Sequence, residues 1–74
     1  LSLKHLPERE AIEQELMDNN IKPTHLQLHY TGNKINMDLI YQEEPKELAQ
    51  IKSTLDGWLK NKSWLGNYTF YVKK

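Results

Sequence analysis

The 74-residue chain predicts an α+β fold, a two-layer αββαβ sandwich with a three-stranded mixed sheet. Three patterns predict it. Two proline-led segments, 7–19 and 45–61, carry apolar residues at helical spacing. Two strictly alternating runs, 24–31 and 34–41, flank a Gly-Asn pair. A third alternating run, 68–72, follows the second helical segment.

The first helix is read as starting at Pro7, whose missing N–H costs nothing in a first turn. Glu8 and Glu10 complement the helix dipole there, and Ala11, Ile12 and Leu16 form a thin apolar stripe. Asp18-Asn19-Asn20 ends the helix, because asparagine tolerates a left-handed cap. Pro23 keeps Lys22 extended and leads into a strand. Along 24–31, Leu26, Leu28 and Tyr30 share one face, and His25, Gln27 and His29 the other. Gly32-Asn33 fits a two-residue type II′ turn. That turn sets a register in which paired residue numbers sum to 65. Tyr30 then opposes Ile35, Leu28 opposes Met37 and Leu26 opposes Leu39, so apolar meets apolar at each step.

Pro45 opens the second helix, whose stripe of Leu48, Ile51, Leu55, Trp58 and Leu59 is the strongest periodic signal in the chain. Gly57 lies inside it, at a cost of up to ~1 kcal/mol against alanine, and is read as permitting close approach to the sheet. Asn61 to Asn67 is expected to be a loop. Tyr68, Phe70 and Val72 then face one way, Thr69 and Tyr71 the other. The second strand, second helix and third strand make a βαβ unit, so the last strand should run parallel to the second. The expected sheet order is 1-2-3, a ferredoxin-like topology lacking its first strand. The expected core is Ile12, Leu16, Leu26, Leu28, Met37, Leu39, Leu48, Ile51, Leu55, Trp58 and Phe70.

Length and composition bound what such a fold can do. The chain allows one domain over 1–74, and a core this small is marginal for a monomer without disulfide or metal. A homodimer is therefore expected. The absence of cysteine excludes a disulfide scaffold, thiolate zinc ligands and a thiol nucleophile. Ten basic and ten acidic residues cancel, which argues against nucleic-acid binding by phosphate neutralisation. Apolar runs are too short for a membrane span, so no direct membrane insertion is expected. Charge is uneven along the chain: −3 over 1–20, −1 over 21–44 and +4 over 45–74. Two readings fit this, solvated helix faces of opposite sign or head-to-tail or symmetric pairing of an acidic helix with a basic one. Because the chain begins at Leu1, it is expected to be a piece of a longer protein.

The strand face turned away from the helices collects His25, Gln27, His29, Asn36, Asp38, Ile40, Thr69 and Tyr71. His25 and His29 are both diagonal neighbours of Asp38, roughly 7–8 Å away between Cα atoms. Imidazole and carboxylate are ligands for zinc or a similar divalent ion, so His25, Asp38 and His29 are the candidate metal residues. Equally, histidines on a solvated strand face are ordinary polar residues facing water. His5 lies just before the first helix and is read as the latter kind. Trp64 is read as a loop residue over the core edge. No glycine-rich phosphate loop or serine elbow occurs, and the chain is not expected to be an enzyme.

The segment Asn20-Ile21-Lys22-Pro23-Thr24-His25-Leu26-Gln27-Leu28 resembles the start of the cytoplasmic C-terminal domain of cation diffusion facilitator transporters. There a short turn leads into a strand opening His-Asp-Leu-Arg. The hairpin from Tyr30 to Leu39, the helix from Pro45 to Leu59 and the strand Tyr68–Val72 resemble the family's remaining elements, mostly in pattern and spacing. The resemblance implies a metallochaperone-like αββαβ domain that forms a V-shaped homodimer below a six-helix transmembrane portion of the same chain. Such a domain is cytoplasmic and responds to Zn²⁺ or related ions. His25 matches the family's histidine at the first strand, and Asp38 stands where many members have histidine. Gln27 replaces the family's arginine. Tyr71, Val72, Lys73 and Lys74 stand where the family has His-x-Asp. The expectation is a regulatory domain that binds a divalent cation weakly and dimerises without it. The alternative is an interaction module of the same fold with no transport role.

Overall fold

The computed structural model describes residues 6–73 and has the order α1 (Arg9–Asp18), β1 (His25–Thr31), β2 (Lys34–Tyr41), α2 (Leu48–Asn61) and β3 (Leu65–Val72). The sheet order is β1-β2-β3, with β1 antiparallel and β3 parallel to the central β2. All seven β1–β2 pairs, from His25↔Ile40 to Thr31↔Lys34, keep the register set by the turn. Gly32 takes φ 62 while Asn33 stays at negative φ, the pattern of a type II′ hairpin.

Both helices start later than their prolines suggest. The N-caps are Glu8 and Glu47, and neither side chain bonds back to the helix. Pro7 and Pro45 therefore sit outside the helices rather than in their first turns. Glu8 is extended, with ψ 160, and the first intrahelical bond of α1 runs from Ile12 N–H to Glu8 C=O at 3.1 Å. The end of α1 is a complete Schellman motif. Asn20 adopts φ 60, its N–H donates to Met17 C=O at 2.9 Å, and Ile21 N–H donates to Leu16 C=O at 2.8 Å. The motif turns Ile21 back onto Leu16, and both are buried.

The third strand begins at Leu65, three residues before the alternating run. Ile35 pairs with Leu65 but Asn36 pairs with Asn67, so Gly66 is the extra residue of a bulge. Leu65 and Tyr68 are an odd number of residues apart and can share the helix-facing side only if one residue is inserted between them. A side chain at Gly66 would bring its Cβ to 2.6 Å from Asn36 Oδ1. Any larger residue here would have to push the Asn36 amide aside.

The core lies between the sheet and the helix layer. It comprises Ile12, Leu16, Ile51, Leu55 and Trp58 from the helices, Leu26, Ile35, Met37, Leu39, Tyr41 and Leu65 from the strands, and Ile21. Ile21, Ile35, Tyr41 and Leu65 thus join the expected core. Leu28, Leu48 and Phe70 are only half-buried at its margin. The central strand explains part of this: flanked on both sides, its entire helix-facing row is sealed, whereas β1 is an edge and Tyr30 is exposed. Gly57 faces open space, with nothing within 4 Å of where a Cβ would stand, so it permits no close approach. Trp64 packs half-buried against the core edge. Glu15 of α1 pairs with Lys62 just past α2, and the Lys62 ammonium lies 4.9 Å from the Trp58 ring centroid. One ion pair therefore links the acidic first helix to the residue that caps α2.

Candidate functional site

The helices cover one face of the sheet, and the other carries the predicted polar set. Strand alternation lines up Gln27, Asp38 and Thr69 in one cross-strand row, His25, Ile40 and Tyr71 in the next, and His29, Asn36 and Asn67 in the third. Asp38 is at the centre and its side chain is only 16% exposed, because neighbours on both sides shield it. Ile40 adds an apolar centre, and Tyr71 stands half exposed beside it.

Of the three candidate ligands, the structure joins two. His29 Nε2 lies 2.7 Å from Asp38 Oδ2. Both histidines lie on diagonals from Asp38, and it is the His29 ring that closes on the carboxylate. His25 is instead the register partner of Ile40, and it lines a groove beside α1. His29 is more than half exposed, so the contact is worth at most ~1 kcal/mol whether as a hydrogen bond or, with the ring protonated, as an ion pair. Among the described residues no three His, Cys, Asp or Glu side chains converge to hold a metal ion. A divalent ion at His29 and Asp38 would need further ligands from water or a second chain.

Two hollows adjoin this region. A shallow one of 350 Å³ on the open face is bounded by Gln27, Asp38, Ile40, Tyr71, Val72 and Lys73. It combines an aromatic ring, a shielded carboxylate and a lysine. The larger, of 490 Å³, runs between α1 and the segment leading into β1, floored by Leu16, Ile21, Pro23 and Leu26. Arg9 spans its rim, with Nε 3.3 Å from Glu13 Oε2 and Nη2 donating to the Leu26 carbonyl.

Two tyrosines on the helix side are electrostatically perturbed. The Tyr68 hydroxyl donates to Asp56 Oδ1 at 2.6 Å, tying β3 to α2. Loss of solvent, then the Asp56 carboxylate, pushes its pKa up to about 12. Burial alone raises that of Tyr41, whose hydroxyl has no partner among the described residues. Neither was singled out from sequence as more than a strand residue.

No helix among the described residues is long and apolar enough to cross a membrane. Compared with protein-family models, curated proteins and solved structures, the chain matches none.

Proposed function

We propose that the chain is a non-catalytic cytoplasmic dimerisation and regulatory domain of a divalent-cation efflux transporter. The observation that carries this reading is the layout of the open sheet face. His25, the residue that matches the family, opens β1 on the side away from both helices, and His29 and Asp38 meet on the same face. A two-layer sandwich with one bare polar face also leaves its edge strand β1 unpaired, so the sheet has surface to offer another copy. Any zinc-type ion is held by His29 and Asp38, with His25 contributing only if its ring swings towards them. The remaining ligands come from water or the second copy, so binding is weak and the dimer does not depend on it.

The specific observation favouring the alternative, an interaction module with no transport role, is that only two candidate ligands meet while Lys73 borders the same hollow. Calorimetric zinc titration with sedimentation of the metal-free protein tests the domain reading. The expected result is a metal-free dimer and zinc affinity far short of nanomolar, lowered further by Asp38→Ala. Nanomolar binding untouched by His29→Ala and Asp38→Ala would move the site elsewhere. The reading frame upstream of Leu1 tests the transporter: six apolar segments there support it, and a frame without them ends it.

A further inference from the structure

The two edges of the sheet are not equivalent. The β3 edge is interrupted by the Gly66 bulge and followed by Lys73, devices that discourage pairing with another chain. The β1 edge is seven residues long, His-Leu-Gln-Leu-His-Tyr-Thr, with no lysine, no proline and no register shift. In a two-residue hairpin the residues flanking the turn form a hydrogen-bonded pair, here Thr31 with Lys34. Thr31, His29, Gln27 and His25 therefore spend their backbone groups on β2. Leu26, Leu28 and Tyr30 point theirs outward. The Arg9 guanidinium, reaching the Leu26 carbonyl from α1, agrees with that direction.

We propose that two copies of this chain join edge to edge through β1, antiparallel about a two-fold axis at Leu28, to make one continuous six-stranded sheet. The proposal rests on the reading of the chain as a self-associating domain and names the surface that does it. The register follows from symmetry. Leu26 faces the partner's Tyr30, Leu28 faces the partner's Leu28, and Tyr30 faces the partner's Leu26. Every outward-pointing backbone group then meets another, for about six new hydrogen bonds. On the helix side the paired side chains are all apolar or aromatic, and Tyr30, 56% exposed in the single chain, gains cover from the partner's Leu26. On the open side Gln27 faces the partner's His29, and no like charges oppose. A carbonyl oxygen has two lone pairs, so the Leu26 carbonyl can keep Arg9 and also accept from the partner's Tyr30. Met17, 57% exposed on the groove beside this edge, extends the apolar strip.

The test uses the 74-residue chain, which has no cysteine of its own. Leu28→Cys should oxidise to a disulfide-linked dimer, since a directly opposed pair in a hydrogen-bonded position has Cα atoms about 5.5 Å apart. Tyr71→Cys, on the open face, should not. Tyr30→Pro removes one outward N–H per copy, and should raise the dimer dissociation constant at least about tenfold by sedimentation, with an unchanged circular dichroism spectrum. A dimer in which Tyr71→Cys crosslinks and Leu28→Cys does not would overturn the edge and leave self-association standing. A wild-type chain that stays monomeric at high micromolar concentration would remove both.

Discussion

Asn20 is the residue on which the end of α1 turns. A non-glycine side chain at φ 60 costs roughly 1–2 kcal/mol, with asparagine among the least penalised. Asn20→Gly should therefore leave stability equal or raise it slightly, whereas Asn20→Val should lower it by roughly 1–2 kcal/mol in urea melts. Tyr68 makes a prediction in pH. Its pKa is near 10 in the unfolded chain and about 12 in the folded one. Between those values the unfolded state has released a proton that the folded state still holds, so stability falls as pH rises. The contribution is complete below pH 10 and is lost between 10 and 12. Tyr41, also raised, acts in the same direction. Urea melts of wild type and Tyr68→Phe should accordingly differ most below pH 10, with the gap narrowing towards pH 12. A gap independent of pH would show that neither burial nor the Asp56 contact holds the proton in the folded state.

At the scale of the elements, α2 carries an avoidable cost. Gly57 lies inside a helix of 14 residues, and an added Cβ would meet nothing within 4 Å. Gly57→Ala should stabilise the domain by about 0.5–1 kcal/mol, seen as a rise of several degrees in Tm. An unchanged or lower Tm would mean that the position is constrained by something outside this chain. The edge strand and the central strand differ in the same physical way. On β2 the helix-facing row of Ile35, Met37, Leu39 and Tyr41 is buried throughout, while on β1 burial fades from Leu26 through Leu28 to Tyr30. Alternation assigns a residue to a face, but only the neighbouring strands and helices decide how deeply that face is covered.

For the whole molecule, the core is small enough that one vacancy matters. A 74-residue domain has about 4–11 kcal/mol of stability in total. Met37 is fully buried on the central strand, and Met37→Ala should cost about 2–5 kcal/mol. A chain near the lower bound would then unfold at room temperature, which circular dichroism would register directly. If the wild type is a dimer, that loss should be smaller at high protein concentration, because association stabilises the folded state by mass action.

The sequence by itself determined the order of the elements, the three-stranded mixed sheet and the hairpin register, because these depend on short-range rules. Period-2 and period-3.6 apolar spacing separates strands from helices, and a two-residue turn admits one pairing. It also put His25, His29 and Asp38 on one face. The signal for Ile21 was present too, since an αL asparagine followed by an apolar residue is the mark of a Schellman end. Tertiary structure decided the rest. The early start of β3 depends on Leu65 finding Ile35 across a parallel pair, which alternation alone cannot anticipate when a bulge resets the phase. Tertiary structure likewise paired Asp38 with His29 and not His25, a choice period-2 patterning cannot make because it treats the two diagonals as equal.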